Sequence, residues 1–344
     1  VEYSVYYTDP RSADSDYDGL SDWEEVKIYN TNPVNIKIAI ISDIGGRGDL
    51  SFNDMAFKGG EELRETHGVA VVELISKTWA DYLRNLRAAA EDPPTILIVG
   101  VGHLLSEALA QVAQEFPDKN FIGIDTNARF LTPEPLPNLV DVVYEEHKGS
   151  ALVGALGALL AAHYDKPHIG GVFGIEIPVL WKFEIGYKWG CDWAMKWYKN
   201  HYPDNYAAEP SSSIVNTPRN RRVLYIYTGT FSDITKGYLV AKAMYVENVV
   251  AVYNVAGPLG LGINQAVEEI AAAEVLDSGP PFWMGADADQ DWINPGFVIA
   301  SMMKRVDYGV IYGTELVRRG LFREEGIVGY PNERRALTLG IGTE

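Results

Sequence analysis

The sequence predicts an α/β fold in two similar lobes, each built on a parallel β-sheet with helices on both faces. Three observations lead to this prediction. Apolar runs of strand length alternate with helical patterns from residue 35 onwards. The alternating units form two successive sets, and strand–helix–strand units in series give parallel sheets. The chain has 344 residues, of which 47% are hydrophobic, and this is enough for two hydrophobic cores.

The first set of units begins with the apolar run "IKIAIIS", which has the length and composition of a buried strand. The strands predicted in this set are Ile36–Ser42, Val69–Ile75, Thr95–Val101 and Asn120–Asp125. The helices predicted between them are Asn53–Thr66, 79–91 and Leu104–Phe116. In such sheets ligands bind beyond the carboxyl ends of the strands, so residues that follow strands are the first candidates for a site.

The second set repeats the same alternation. Its predicted helices are 149–164, Lys182–Tyr198, Ile234–Val246 and Gln265–Leu276. Its predicted strands are His168–Ile175, 222–228, 248–255 and 281–287. We therefore expect a first lobe formed by residues 35–126 plus about 301–322. The second lobe is expected to comprise residues 127–300 plus about 323–344.

The charge balance argues against nucleic acid as a partner. The chain has 29 basic and 47 acidic residues, which gives a net charge of −18. Phosphate contacts require clustered Lys and Arg, and no basic patch occurs in the sequence. We therefore expect no nucleic-acid partner.

The sequence has no apolar run of about 18 residues, which is the length that a bilayer-spanning helix requires. The longest apolar run, Ala151–Ala162, contains two glycines and is typical of a buried helix. The first residue is Val rather than Met, which is typical of a processed N-terminus. We expect a membrane anchor in a segment that is missing from this chain.

The stretch "DSDYDGLSDWEE" (Asp14–Glu25) has the spacing of a calcium loop. Ca²⁺ takes six to eight oxygen ligands, and a 12-residue loop supplies them from fixed positions. Gly19 lies at the sixth position, where the loop requires a sharp turn. The predicted ligands of a structural Ca²⁺ are Asp14, Asp16, Asp18, the backbone carbonyl of Leu20, Asp22 and Glu25. The alternative is an acidic, solvated loop.

This loop is framed by "TDP" at residues 8–10 and "TNP" at residues 31–33. The arrangement resembles the thrombospondin type 3-like calcium repeats, which occur in tandem in exported proteins. The resemblance implies that residues 1–34 form a calcium-binding stalk segment. Because cytosolic calcium is normally too scarce for a single weak loop, the resemblance favours an extracytoplasmic location, at a cell surface or in a periplasm.

No motif for catalysis stands out. The sequence lacks a GxSxG nucleophile elbow, an HExxH zinc motif and a Walker A loop. The glycine-bearing turns "GVGHLLSEA" and "GPLGLGINQ" do not match the dinucleotide fingerprint. None of these enzyme classes is therefore indicated by a sequence motif.

A set of motifs in fixed order resembles the basic membrane lipoprotein family, the PnrA-like nucleoside-binding proteins of ABC importers. The set begins with "AIISDIGGRGDLSFNDMAFKGGEEL" at residues 39–63. It continues with "GIDTN", "EEHKGSALVGALGALLA", "FGIEIPVLWKFEIGYKWG", "GTFSDITKG", "VYNVAGPLGLG", "MGADADQDW" and "SMMKRVD". Together these motifs cover residues 35–310, which is nearly the whole body of the chain.

The resemblance implies a type I periplasmic-binding-protein fold of two lobes, with a ligand in the cleft between them and no catalytic activity. It implies a purine nucleoside as the ligand (adenosine, guanosine or inosine) and an ABC permease as the partner in the membrane. The protein is expected to be a monomer.

The resemblance also implies roles for eight residues of this sequence. Phe52 and Phe231 match an aromatic pair that grips the two faces of a base. Asp125 and Asn53 match residues at the edge of the base, where a carboxylate accepts N–H donors. Asp287 and Lys304 match a pair that binds the ribose hydroxyls. The remaining predicted positions are Asp43 and the backbone N–H of Gly257.

Each role has a structural alternative. Either phenylalanine is compatible with a place in the core, and each carboxylate is compatible with capping of the next helix. Two alternatives also exist for the whole protein: a ligand-sensing regulator of the same fold, and a calcium-dependent nucleoside hydrolase. The calcium repeat argues against a cytosolic sensor, and the predicted calcium ligands lie in the front segment rather than near a sugar site.

Overall fold

The computed structural model describes residues 13, 21–24, 27–28, 36–202 and 223–323, together with the backbone of 336–339. The strands in these residues are β1 (Lys37–Ile41), β2 (Ala70–Leu74), β3 (Thr95–Val101), β4 (Asn120–Ile124), β5 (Leu139–Tyr144), β6 (His168–Phe173), β7 (Val223–Tyr227), β8 (Val249–Val255), β9 (Phe282–Asp287), β10 (Val298–Met303) and β11 (Ala336–Leu339). The main helices are α1 (Phe52–His67), α2 (Trp79–Glu91), α3 (Ser106–Glu115), α4 (Glu146–His163), α5 (Pro178–His201), α6 (Ile234–Val246), α7 (Leu259–Glu274) and α8 (Val306–Arg318).

The strands form two sheets, and all neighbouring strands that pair are parallel. One sheet has the order β11-β5-β4-β3-β1-β2, and the other has the order β10-β9-β8-β6-β7. This confirms the predicted α/β fold with one parallel sheet in each of two lobes. Within the described ranges, no helix is both long enough and apolar enough to cross a bilayer.

The chain divides into two compact units at positions that differ from the expected bounds. The first unit contains Asn53–Tyr144, the described residues up to Arg47, and those from Arg305 onwards. The second unit contains Gly48–Phe52 and Glu145–Lys304. The predicted boundary near residue 126 is displaced because β5 pairs with β4 and extends the first sheet. Strand β11 pairs with β5 and therefore also belongs to the first unit, not to the second.

Several elements were not predicted. Strand β5 was missed because Asp141 interrupts its apolar pattern, although this carboxylate is fully buried. It accepts hydrogen bonds from the Thr126 hydroxyl and from the backbone N–H of Arg129, which lies 3.1 Å away. These donors allow a carboxylate to occupy a central strand. Strands β10 and β11 and helix α8 were also not predicted.

Helix α7 begins at Leu259, six residues before the predicted start. Its first turns contain Gly260 and Gly262, which lower helix propensity but suit this packing. A Cβ at Gly262 would collide with the backbone of Ile234 at the start of α6. Gly262 is therefore required by the close contact between α6 and α7, and both glycines lie inside the helix rather than in a loop.

Each unit has its own core. In the first unit, α2 and α3 cover one face of the sheet with apolar residues such as Leu86 and Leu109. In the second unit, Tyr253 belongs to a core that includes residues of α4 and α5. The preceding residue, Val252, belongs to a different core, which includes residues of α6 and α7. This alternation along β8 places helices on both faces of the second sheet and leaves the carboxyl ends of its strands for a site.

Candidate functional site

In the first unit, candidate residues follow three neighbouring strands. Asp43 follows β1, Gly102 follows β3 and Asp125 follows β4, and these strands are adjacent in the order β4-β3-β1. Gly102 has φ 108°, and a Cβ there would lie 2.7 Å from Asp43 Oδ2. Only glycine therefore fits beside the carboxylate of Asp43.

Asp43 and Asn53 are joined by two hydrogen bonds and are both buried. Asn53 Nδ2 donates to Asp43 Oδ1 over 2.8 Å, and the backbone N–H of Asp43 donates to Asn53 Oδ1 over 3.3 Å. The backbone N–H of Gly45 also donates to Asp43 Oδ1, at 2.9 Å. This arrangement fixes the orientation of both side chains at the end of β1.

Asp125 has an unusual backbone conformation, with φ 58° in the left-handed region. It is 4% exposed and lies beside His103. Burial lowers the pKa of His103, and a hydrogen bond to the backbone of Asp125 opposes that shift. His103 is therefore expected to be neutral at physiological pH. A strained, buried carboxylate after a strand is a feature that occurs at ligand sites.

Asp287, at the end of β9 in the second unit, shares this conformation, with φ 69°. It is 8% exposed, and its Oδ2 accepts a hydrogen bond from Ser51 Oγ at 3.1 Å. Its Oδ1 has no hydrogen-bond donor among the described residues. Burial raises the pKa of Asp287 to about 6 against the effects of Lys304 and Ser51, and Asp49 contributes in the same direction as burial. The carboxylate has capacity to accept further donors.

Lys304 brings a buried cation to the same place. Its backbone N–H donates to the carbonyl oxygen of Asp287 at 2.9 Å, and its side chain is 1% exposed. The ammonium nitrogen lies 5.1 Å from the centroid of the Phe52 ring. We call Asp49, Ser51, Phe52, Asp287 and Lys304 the Asp287 cluster.

The position of Phe52 corrects an expectation, because the domain bounds predicted from sequence placed it in the first lobe. Phe52 is the first residue of α1, yet it is grouped with the second unit while Asn53 is grouped with the first. The reason is the attachment of the preceding residue: Ser51 Oγ shares its single proton between the carbonyl oxygen of Ala286, at 2.9 Å, and Asp287 Oδ2, at 3.1 Å. Phe52 and Phe231 therefore belong to the same unit.

Phe231 and Gly257 also lie in the second unit, after β7 and β8. Phe231 is half-buried, and its ring packs so closely on Gly174 that a Cβ there would collide with it. Gly257 has φ 54° and comes two residues before α7; a Cβ there would lie 3.9 Å from Asp49 Cβ. Phe231 also packs against the core that Tyr253 forms with α4 and α5.

Five of the six predicted calcium ligands lie outside the described residues, namely Asp14, Asp16, Asp18, Leu20 and Glu25. The sixth, Asp22, begins a single helical turn, Asp22–Glu24. Ser21 and Glu24 form a reciprocal cap on this turn: the backbone N–H of Ser21 donates to Glu24 Oε2 at 2.8 Å, and the backbone N–H of Glu24 donates to Ser21 Oγ at 3.2 Å. In the part of the chain that the structure describes, no group of three or more His, Cys, Asp or Glu residues is placed to hold a metal ion.

Sequence reasoning did not single out three polar residues near the predicted positions: Asp49, Ser51 and Glu146. Ser51 lies in the "SFN" motif directly before Phe52 and Asn53, so its place in the sequence could have marked it as a candidate. Glu146 was not identified because nothing in the sequence shows that it meets Lys304, which is 158 positions later; the Nζ–Oε1 distance is 2.9 Å. This contact joins the first residue of α4 to the residue that follows β10.

Comparison with known families gives a match over most of the chain. The family described as ABC transporter substrate-binding protein PnrA-like, or Bmp, matches residues 36–196 and 214–329. The match covers all eight residues predicted to bind the nucleoside, from Asp43 to Lys304.

Individual relatives agree with this match. An uncharacterized lipoprotein of Pyrococcus furiosus is 32% identical over 310 residues, and the alignment covers 88% of this chain and 71% of that protein. The ABC transporter nucleoside-binding protein BmpA of Lactococcus lactis is 26% identical, with 89% of this chain and 82% of that protein covered. Among solved structures, an ABC transporter solute-binding protein of Aeropyrum pernix superposes with a TM-score of 0.72 at 32% identity, over 89% of this chain and 74% of that one.

Proposed function

Because this chain belongs to the Bmp family of PnrA-like ABC transporter substrate-binding proteins, we propose that it binds a purine nucleoside and delivers it to a membrane permease. The ligand class is adenosine, guanosine or inosine. A relative from Lactococcus lactis carries the name of a nucleoside-binding protein, which supports this class. The family is described as one of substrate-binding proteins, so the proposed role involves no catalysis.

The observation that carries the proposal is the buried carboxylate of Asp287. Its Oδ2 accepts a hydrogen bond from Ser51, while Oδ1 has no donor among the described residues. A buried acceptor without a donor costs stability, and ligand hydroxyl groups remove that cost. The two vicinal hydroxyls of a ribose supply two donors to one carboxylate, and the Lys304 ammonium donates to a ribose oxygen.

Aromatic side chains in the same unit support a flat, aromatic ligand. Phe52 is half-buried beside the Lys304 ammonium, and Phe231 is half-buried after β7. Stacking of a base on an aromatic ring contributes about 1–3 kcal/mol per base. A free sugar has no base to stack on these rings.

The base edge is assigned, from the family resemblance, to residues of the first unit. Asp125 and Asp43 are carboxylates that accept N–H donors, and Asn53 both donates and accepts. The hydrogen bonds between Asp43 and Asn53 fix these acceptors before a ligand arrives. Pre-arranged polar groups of this kind give specificity for one pattern of donors.

The test is a calorimetric comparison of adenosine, 2′-deoxyadenosine and ribose on ligand-stripped protein. Losing one hydroxyl leaves a carboxylate oxygen unpaired, which costs about 1–3 kcal/mol, so 2′-deoxyadenosine should bind roughly five- to 150-fold more weakly. Ribose alone should bind hardly at all. Equal affinity for adenosine and 2′-deoxyadenosine would remove the ribose role from Asp287.

We also propose that residues 14–25 bind one structural Ca²⁺ and that residues 1–34 form a stalk between a membrane anchor and the binding units. The location is then extracytoplasmic, and the Pyrococcus furiosus relative is named a lipoprotein, which supports anchoring. The binding protein acts as a monomer, which light scattering of the purified protein tests directly.

A further inference from the structure

The side chain of Glu146 lies buried between two lysines at the start of α4. Its Oε1 is 2.9 Å from Lys304 Nζ, and its Oε2 is 2.5 Å from Lys182 Nζ. The Glu146 and Lys304 side chains are 0% and 1% exposed, whereas Lys182 on α5 is 36% exposed. The carboxylate therefore links a buried ammonium to one at the surface.

Glu146 remains ionised in this position. Burial opposes ionisation, but Lys304 and Lys182 together hold the pKa of Glu146 below its usual value. The first turn of a helix also favours a negative charge, because the unpaired N–H groups of that turn point towards it.

Lys304 is the group through which Glu146 reaches the Asp287 cluster. The lysine follows β10, and its ammonium is 5.1 Å from the centroid of Phe52 and 5.2 Å from that of Phe183. A lysine has a flexible four-carbon stem, so its charge is placed only when a fixed anion holds it. A single ion pair to Asp287 would hold the ammonium, but it would occupy the carboxylate that the ligand needs.

We propose that Glu146 is a positioning residue: it holds the Lys304 ammonium beside Asp287 while leaving the Asp287 carboxylate available to the ligand hydroxyls. The inference rests on the proposed function for its effect on nucleoside affinity, but its effect on Asp287 is independent of any ligand. Lys182 completes the arrangement, because its ammonium pairs with Oε2, the second carboxylate oxygen of Glu146.

Removing the charge of Glu146 has two separate consequences. In Glu146→Gln, the Lys304 ammonium loses its anionic partner and pairs with Asp287, which lowers affinity for the nucleoside. The Asp287 carboxyl also becomes more acidic, because Glu146 is one of the negative charges that raise its pKa. The other groups facing Asp287 are Lys304, Asp49 and the hydroxyl of Tyr253.

The experiment measures adenosine affinity from about pH 5 to about pH 8 for the parent, Glu146→Gln and Glu145→Gln. Glu145 is a matched control: it precedes Glu146, and its Oε2 lies 2.6 Å from Lys148 Nζ in an exposed pair. We expect Glu146→Gln to bind at least about tenfold more weakly, with the acidic loss of affinity beginning at lower pH. Glu145→Gln should match the parent in both respects.

The effect on Asp287 is measured without ligand. The free energy of unfolding is determined across the same pH range with Asp287 and with Asp287→Asn, and the difference between the two reports the titration of Asp287. The pH range over which this difference changes should lie lower in the Glu146→Gln background than in the parent. If adenosine does not bind the parent but this range moves, the ligand assignment fails and the positioning role stands. If Glu146→Gln binds adenosine with the affinity and pH profile of the parent, or if the range does not move, the role is refuted.

Glu146→Asp covers the case in which Glu146→Gln fails to fold. It keeps the buried charge but shortens the side chain by one methylene, so both lysines cannot be held at their present distances. We expect it to fold and to bind adenosine more weakly than Glu145→Asp. Equal affinity of these two variants would also refute the positioning role.

Discussion

Lowering the pH from about 8 to about 5 should weaken nucleoside binding about tenfold, through protonation of Asp287. In the ligand-free protein, burial raises the pKa of this carboxyl from 3.8 to about 6, so it is ionised at pH 8 and mostly protonated at pH 5. Hydroxyl donors of a bound ligand favour the ionised form and hold the pKa of the complex lower. Binding therefore releases a proton at acidic pH, and affinity falls as the pH falls through about 6.

The assay is isothermal titration of adenosine at several pH values in two buffers of different ionisation enthalpy, which also counts the protons released. Asp287→Asn is the control, and asparagine tolerates the left-handed backbone found at this position. The variant should bind weakly and show no pH dependence over this range. A parent affinity that is constant from pH 5 to pH 8, or a pH dependence that persists in Asp287→Asn, would refute the role of Asp287.

The same pKa has the opposite consequence for the stability of the ligand-free protein. A carboxyl whose folded-state pKa is raised binds its proton more tightly when folded, so its contribution to stability increases as the pH falls from about 6 towards 3.8. A difference of about two pKa units corresponds to about 3 kcal/mol. We expect Asp287→Asn to raise the unfolding temperature at pH 8 and to have little effect near pH 4; the reverse order would contradict the raised pKa.

Three further predictions concern other parts of the chain. Phe231→Ala should weaken adenosine binding by about 1–3 kcal/mol, measured by calorimetry, and should lower the unfolding temperature only slightly. Unchanged affinity together with a large fall in the unfolding temperature would show that the ring has a structural role. Removing residues 1–34 should abolish calcium binding and leave nucleoside affinity unchanged, and lost nucleoside binding would refute the stalk role. Gly190→Ala should lower the free energy of unfolding by about 1–3 kcal/mol, because its Cβ would collide with the backbone of Ala151. Gly157→Ala should lower it less, because the added Cβ would meet only side chains; thermal unfolding of the two variants gives the comparison.

The fold was largely predictable because its strands are continuous apolar runs. Strand β1 and helix α2 lie where the periodicity placed them, within a residue of each end. Strand β5 was not predictable in this way, because its central Asp141 is acceptable only with the donors Thr126 and Arg129, which the pattern of a single segment does not reveal.

The strand-end positions of Asp125 and Asp287 were predictable from the sequence, but the contacts around them were not, and their roles in ligand binding stay predictions. The rule that ligands bind beyond strand ends marked Asp125 and Asp287, but their left-handed backbone conformations cannot be read from residue type. The sequence also could not show that Ser51 attaches to β9, so Phe52 was expected in the wrong lobe. The contact of Glu146 with Lys304 likewise depends on how distant segments pack.

The most direct test of the central claim is to identify the small molecule that the protein carries when it is purified without added ligand. The protein is denatured, and the released molecules are analysed by mass spectrometry, with a Phe231→Ala, Asp287→Asn double variant purified in parallel as the control. We predict a purine nucleoside in the parent sample, close to one per chain, and its loss from the double variant. A free sugar, an amino acid or a nucleotide at that stoichiometry would contradict the assignment of a purine nucleoside as the ligand.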